Sequence, residues 1–168
     1  FNLDNRLHFK TGSTFESSRF TAISSEGILV EFDLNGKEYA RSQVEEPSSS
    51  ASFSLAIDKA RNDLVVVKQD LNRLTILKKS GERIFEKDYD TENKLAVQYY
   101  YLGVDKRLYI VRDKQTGRLY LYNKAGTLVN ETALFSDHPV SVIYRQKQSK
   151  CYIYTANNQS VEIKSFTF

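Results

Sequence analysis

The sequence predicts an all-β protein built from repeated four-stranded antiparallel sheets. β-forming residues are abundant, with 11 Tyr and 10 Phe against 2 Pro in 168 residues. Short apolar or alternating segments of strand length recur along the chain without a helical period. Turn glycines recur at a constant spacing. A chain of this length is long enough to bury a substantial core.

The turn glycines are Gly36, Gly81 and Gly126, each separated from the next by 45 residues. A strand-like segment precedes each of them, namely ILVEF, LTIL and LYLY, and an alternating segment follows. A tight turn between antiparallel strands requires positive φ, which glycine adopts without steric cost. A constant period of about 20 to 50 residues indicates a repeat architecture.

Each period contains four predicted strands, and the glycine joins the third strand to the fourth. The modules are residues 5–44, 51–89, 95–134 and 139–168. The fourth module lacks its last strand, because its glycine would fall near position 171, beyond Phe168. The sequence therefore predicts fifteen strands in four modules, with the last module incomplete.

Four short antiparallel strands in about 45 residues are typical of a β-propeller blade. The chain resembles the propeller repeats of the WD40-like and quinoprotein-like superfamily over nearly its whole length. The pattern apolar-x-apolar-x-x-x-Gly-x-x-apolar at the third turn is similar to the quinoprotein-type blade. That blade usually carries a Trp soon after the glycine, where this chain has Ala40, Phe85 and Asn130. The resemblance implies a propeller architecture, and no cofactor or active site is carried over from it.

The predicted domain is therefore residues 1–168, either as a single propeller or as the C-terminal part of a larger one. Blades pack on their neighbours through both faces, so the two terminal faces need a cover. Further blades from the rest of the polypeptide, a second copy, or closure of a four-bladed ring would each supply one. In the last case Phe1-Asn2-Leu3 would form the missing outer strand. The chain has no Met, so we expect its natural N-terminus to lie upstream of Phe1.

Charge and hydropathy exclude two classes of partner. The net charge is +3, and the longest basic cluster is Lys78-Lys79. This is too short for the basic stripe that a phosphate backbone requires, so no nucleic-acid binding is expected. No apolar run reaches the roughly 18 residues needed to cross a bilayer, so no membrane-spanning segment is expected.

Catalytic and metal-binding chemistry is not predicted. The histidines are His8, in a strand, and His138, in a solvent-facing connection, and the one cysteine, Cys151, lies in an apolar strand. These residues form no convincing nucleophile–base–orienter set and no zinc-type spacing. The acidic segment 88–92 lacks the turn glycine of a calcium loop. We expect no catalytic residue, metal or cofactor.

The leading hypothesis is a non-catalytic binding or scaffolding module with a protein or glycan partner. In a propeller, the connections between modules and those between the second and third strands project to one side. This hypothesis points to residues 45–50, 70–72, 90–94, 113–117, 135–138 and 157–159. The candidate binding residues are Asp70, Asn72, Asp90, Glu92, Asp113, Lys114, His138 and Asn157. The alternative is part of a propeller hydrolase or lyase, acting on a polymer such as a glycan, whose catalytic residues lie mostly outside this chain.

Overall fold

The computed structural model describes residues 7–158 and 160–167, and these residues form an all-β structure without an α-helix. The strands are β1 Leu7–Lys10, β2 Arg19–Ile23, β3 Ile28–Phe32, β4 Glu38–Gln43, β5 Ala51–Asp58, β6 Asp63–Asp70, β7 Arg73–Leu77, β8 Arg83–Asp88, β9 Leu95–Gly103, β10 Lys106–Asp113, β11 Arg118–Tyr122, β12 Leu134–Phe135, β13 Ser141–Arg145, β14 Lys150–Ala156 and β15 Val161–Thr167. A single 3-10 turn, Gln146–Gln148, joins β13 to β14.

The strands form four antiparallel sheets in chain order, namely β1–β4, β5–β8, β9–β12 and β13–β15. In each sheet, strands that are neighbours in sequence are neighbours in space. The predicted fold class is confirmed, including the three-stranded fourth sheet. The predicted outer strand Phe1-Asn2-Leu3 lies outside the described residues.

The chain divides into two compact units, Phe1–Glu92 and Asn93–Phe168. The core of the first unit joins one face of β1–β4 to one face of β5–β8. Its buried residues are Ile23, Leu29, Val44, Phe53, Leu55, Leu64, Val66 and Leu77. The alternation of side chains along each strand explains why every second residue enters this core.

The second unit has a core of the same kind between β9–β12 and β13–β15. It contains Leu108, Ile110, Leu119, Leu121, Leu134, Val140, Cys151 and Ile153. Cys151 is fully buried, as predicted, and burial raises the pKa of its thiol to about 11. This thiol therefore stays protonated at neutral pH and acts as a small packed side chain.

The repeat glycines adopt the predicted conformation. Gly36, Gly81 and Gly126 have φ angles of 81°, 84° and 74°. Each donates its N–H to the carbonyl three residues earlier, at Asp33, Lys78 and Asn123, at 3.0–3.1 Å. The Asp33 carboxylate also accepts the N–H groups of residues 35 and 37, and the Asn123 side chain those of residues 125 and 127. These side-chain bonds fix the first and third of the three turns.

The fourth strand of the third sheet is shorter than the alternating segment TLVNETAL predicts. β12 contains two residues, and Leu128 makes an isolated bridge to Tyr122. The buried Asn130 side chain replaces part of the ladder, because its Oδ1 accepts the Leu121 N–H at 2.8 Å. Its Nδ2 donates to the Leu119 carbonyl at 3.3 Å. An asparagine thus satisfies backbone groups that a regular outer strand would pair.

Gly36 and Gly81 provide a matched pair for testing the turn. Alanine at either position is strained by the positive φ, which lowers the free energy of unfolding by about 1–2 kcal/mol. A Cβ on Gly81 would also lie 2.4 Å from the Val44 carbonyl oxygen, whereas a Cβ on Gly36 would meet no atom within 4 Å. We expect Gly81→Ala to cost a further ~1 kcal/mol or more than Gly36→Ala in urea unfolding. Equal losses would contradict the close approach of Val44.

His8 lies in the interface between the two sheets of the first unit. Its side chain is buried, and its Nε2 has no hydrogen-bond partner. In register, His8 pairs with Thr21 and Thr21 with Glu31, and Lys79 of the β7–β8 turn forms an ion pair with Glu31. Burial lowers the pKa of His8 below its ordinary value of 6.5, and nearby lysines at positions 79, 10 and 59 lower it further.

This lowered pKa predicts acid sensitivity. Below pH 6.5 the unfolded chain binds a proton at His8 more readily than the folded chain, so stability falls as pH decreases toward the folded pKa. We expect the urea midpoint to drop between about pH 7.5 and pH 5.5, and His8→Gln to reduce that drop. The control is His138→Gln, the same substitution at an exposed position. An unchanged slope in His8→Gln would contradict the assignment.

Candidate functional site

The predicted binding residues lie on connections that meet at one end of each sheet. Because the strands are antiparallel, the second-to-third strand turns share this end with the connections that lead from one sheet to the next. In the first unit these segments are residues 24–27, 44–50, 71–72 and 89–92, and in the second unit they are 93–94, 114–117, 136–140 and 157–160. Gln159, in the last segment, lies outside the described residues.

Asp70 ties the β4–β5 connection to the end of β6. Its two carboxylate oxygens accept the hydroxyls of Ser48 and Ser50, each at 2.5 Å. These hydrogen bonds hold the pKa of Asp70 below its ordinary value, with smaller contributions from Lys68 and Arg73. Asp70 therefore positions this connection, and its carboxylate is engaged within the protein.

Asn72 performs a similar role at the next connection. Its backbone carbonyl accepts the Tyr89 N–H at 2.9 Å, and its Nδ2 donates to the Tyr89 carbonyl at 3.2 Å. This reciprocal pair places Asp90 beside the β6–β7 turn. The side chains of Asp90 and Glu92 are exposed. Asn72 thus holds the segment, and the two acids are presented to solvent.

The segments 24–27, 44–50, 71–72 and 89–92 are rich in acids, and the last of them continues along the same connection to the exposed Lys94. Glu26, Glu45, Glu46, Asp90 and Glu92 are their charged residues. Glu45 is the partly buried member, and it pairs with Lys68 on β6 at 3.0 Å. The others lie exposed. The end of the first unit therefore presents a negative surface on a fixed backbone.

Asp113 is the equivalent strand-end acid of the second unit, and it is 3% exposed. Burial favours its neutral form, but hydrogen bonds from Asn93 Nδ2 and from the N–H groups of Gln115 and Thr116 outweigh that effect. The pKa of Asp113 is consequently lowered. Lys114, its neighbour, donates its backbone N–H to the Lys94 carbonyl and leaves its ammonium exposed.

Ser136 joins three connections of the second unit. It is fully buried, and its backbone N–H donates to the Gly117 carbonyl at 2.8 Å. Its hydroxyl lies within hydrogen-bond distance of the His138 carbonyl and of both backbone groups of Ala156, at 2.8–3.1 Å. Ser136 thereby brings the segments carrying Lys114, His138 and Asn157 together.

The remaining two candidates differ in how they are held. The His138 side chain is exposed. The Asn157 side chain accepts the Ser160 N–H at 2.8 Å and its hydroxyl at 3.1 Å, which closes the β14–β15 turn. Of the eight predicted residues, Asp70, Asn72, Asp113 and Asn157 therefore build the connections. Asp90, Glu92, Lys114 and His138 are the ones displayed on them.

Sequence reasoning missed the serines and the asparagine that support these segments. Ser48, Ser50, Asn93 and Ser136 each hydrogen-bond a strand-end acid or a neighbouring backbone. The signal was present in the run SSS before β5 and in FSDHP before β13, since short hydroxyl side chains favour local hydrogen bonds to loops. Their partners are distant in sequence, so only the fold identifies them.

Among the described residues, no group of three or more His, Cys, Asp or Glu side chains is arranged to hold a metal ion. A search of the same residues for a helix long and apolar enough to cross a membrane found none.

Solved structures show the fold. A protein of unknown function from Bacteroides caccae matches 92% of this chain with a TM-score of 0.51 at 12% identity. BBS1N in complex with ARL6DN matches 98% with a TM-score of 0.50 at 10% identity. The chain spans 58% and 57% of those two chains. BamB from Moraxella catarrhalis matches 95% of this chain at 15% identity with a TM-score of 0.44. The match covers 42% of the BamB chain.

BBS1N is a β-propeller protein. The four sheets are propeller blades. No protein-family model matches the sequence, and no curated protein matches it. The likeness to solved structures therefore concerns the fold, and it agrees with the blade resemblance carried by the glycine repeat.

Ser136 offers a direct test of the connections in the second unit. Removing its hydroxyl takes away the hydrogen bonds to the His138 carbonyl and from the Ala156 N–H, which together contribute about 1–3 kcal/mol. We expect Ser136→Ala to lower the free energy of unfolding by that amount. Ser141→Ala, at an exposed position of β13, is the matched control and should change it by less than about 0.5 kcal/mol. A loss no larger than the control's would show that Ser136 does not hold the connections together.

Proposed function

We propose that this chain is a non-catalytic binding module of a β-propeller that takes a protein partner on the strand connections. The proposal rests on one observation: some of the predicted residues hold the connections in place, and others are exposed on them. Asp70, Asn72 and Asp113 fix the connection backbone, whereas exposed charged side chains stand on it. Binding residues on loops held by a rigid scaffold lose little conformational entropy on association.

The comparisons support a protein partner. BBS1N, which shares the fold, was solved in complex with ARL6DN. The partner chemistry for this chain comes from its own charges. Glu26, Glu46, Asp90 and Glu92 are exposed at one end of the first unit, and the base on these connections is Lys94, at the end of the one that carries Asp90 and Glu92. Such a surface favours a partner segment carrying basic side chains.

Three finer assignments belong to the same proposal. The blades are of the quinoprotein-like type, because their glycine pattern follows that repeat. The chain acts as a scaffold within one propeller domain, or within the C-terminal part of a larger propeller. A glycan is the second ligand class, and it would use the same exposed connections.

The experiment is a selection of displayed 12-residue peptides on the immobilised chain, followed by affinity measurement of the selected peptides. We expect enrichment of Lys and Arg and a tenfold or greater loss of affinity in Asp90→Ser/Glu92→Ser, equivalent to about 1.4 kcal/mol. We also expect affinity to weaken with added salt. A glycan panel screened with the same variants tests the second ligand class.

The matched control is Lys59→Ser/Arg61→Ser. These exposed residues lie in the β5–β6 turn, at the opposite end of the same sheet. Affinity in this control should stay within about twofold of wild type. Lys114→Ser/His138→Ser tests the exposed candidates of the second unit in the same way. The proposal fails if neither this variant nor Asp90→Ser/Glu92→Ser changes the affinity of the selected peptides. It also fails if the control variant lowers that affinity as much as they do.

A further inference from the structure

The second unit carries the positive charge of this chain. Residues 93–168 contain 11 Lys and Arg against 5 Asp and Glu, whereas residues 1–92 contain 13 against 16. A charge asymmetry of this kind between two parts of a chain indicates an anionic partner for the basic part. The position of the bases within the unit shows what kind of partner fits them.

Six of the bases lie at one end of the second unit, opposite the strand connections described above. This end is formed by the β9–β10, β11–β12 and β13–β14 turns. It consists of residues 103–107, 123–128 and 145–150, and it is called the turn end here. Its one acid is Asp105, and its bases are Lys106, Arg107, Lys124, Arg145, Lys147 and Lys150.

Side-chain contacts join the three turns of the turn end. Lys124 Nζ donates to the Asp105 carboxylate at 2.9 Å, which connects the β11–β12 turn to the β9–β10 turn. Lys106 Nζ donates to the Tyr144 hydroxyl at 2.8 Å and to the Ser149 hydroxyl at 3.2 Å, which connects the β9–β10 turn to the β13–β14 turn. The bases therefore belong to one continuous surface, although three separate segments of the sequence supply them.

Most of these bases have no acid beside them. Arg107 stacks on the Tyr101 ring at 3.7 Å, and Arg145 and Lys150 lie over the Tyr152 ring at 5.2 and 5.6 Å. An aromatic ring orients a cation without cancelling its charge. No ion pair with a described residue is formed by Arg107, Arg145, Lys147 or Lys150.

An apolar side chain stands at the tip of the turn end. Val104 is 82% exposed in the two-residue turn between β9 and β10, and Lys106 and Arg107 follow closely in the chain. Leu128, just after the β11–β12 turn, is 49% exposed. An exposed apolar tip among bases suits a partner that offers negative charge at its surface and an apolar layer below it.

We propose that the turn end of the second unit binds the surface of a bilayer that contains anionic lipids. The bases contact the lipid headgroups, and Val104 enters the boundary between headgroups and acyl chains. A fluid surface conforms to several separate turn tips, whereas a peptide is held in a groove or along a strand edge. The contact uses turns and not sheet faces, and the strand connections at the opposite end of the unit stay accessible.

The first experiment measures sedimentation of the chain with vesicles of phosphatidylcholine, either alone or with about 30 mol% phosphatidylglycerol. We expect a partition coefficient at least about tenfold higher on the anionic vesicles, and a loss of binding with added salt. Lys124→Ser/Lys147→Ser should lower the partition coefficient about tenfold, because each base near an anionic surface adds to the attraction. Both residues are exposed, and the Lys124–Asp105 pair lies at the surface, so the variant should fold.

The matched control is Lys94→Ser/Arg118→Ser, which removes the same charge. Both residues are exposed at the opposite end of the same unit. Their removal should change the partition coefficient on anionic vesicles by less than about threefold.

The second experiment uses the absence of Trp from the sequence. Val104→Trp places a single Trp at the tip of the turn end, where it should bind anionic vesicles more tightly and shift its fluorescence emission to shorter wavelength. Gln115→Trp, in the exposed turn at the other end of the same sheet, is the matched control, and its emission should stay unchanged. Val104→Ser should weaken vesicle binding about threefold or more, because it removes the apolar contact.

The proposal is overturned if wild type binds the two kinds of vesicle equally, or if Lys124→Ser/Lys147→Ser binds as tightly as its control. An unshifted Val104→Trp emission in the presence of anionic vesicles also overturns it. Polyglutamate serves as the rival ligand. If it binds more tightly than the vesicles and Val104→Ser changes neither affinity, the partner is an acidic protein segment and the bilayer assignment is wrong. None of these outcomes bears on the peptides selected by the strand connections, so the two proposals fail separately.

Discussion

Face-to-face packing of consecutive sheets is the constraint on which each unit depends. A single four-stranded sheet buries too little apolar surface to be stable in water, so each sheet requires a second one against its face. In the first unit Ile23 and Leu29 meet Leu55 and Val66, and in the second unit Ile110 meets Ile153. Apolar residues also occupy successive positions in a strand, as in the run Val65, Val66 and Val67, all buried.

The polar chemistry of the protein follows from this packing. The sheet faces pack in the core, so the backbone groups at the strand ends need hydrogen-bond partners from the connections. Short polar side chains do this at several connections, through Asp33, Asn123, Ser136 and the strand-end acid Asp113. The long charged side chains are then free for the surface. The separation between residues that build connections and residues displayed on them has this physical origin.

Equivalent apolar positions in successive repeats differ in burial, because burial depends on whether another sheet lies against that face. Phe9 and Leu55 are such a pair, at 43% and 4% exposure.

The sequence alone determined the repeat, the all-β class and the position of each glycine turn, because these depend on local spacing and on the φ that a turn requires. It also located the connections, and it predicted that Cys151 is packed and that His138 is exposed. It did not identify the shortened β12, since the ladder bonds made by Asn130 depend on where its side chain lies in the folded sheet.

Only the tertiary structure decided which predicted polar residues are engaged and which are displayed. Asp70 and Asp90 are both acids at the end of a β segment, and no local pattern distinguishes them. Asp70 meets Ser48 and Ser50 across some twenty residues of sequence, whereas Asp90 faces solvent. Likewise, alternation predicts that one face of β1–β4 is apolar, but burial of that face depends on whether another sheet lies against it. Contacts between distant segments are a property of the fold, and for that reason spacing alone could not assign them.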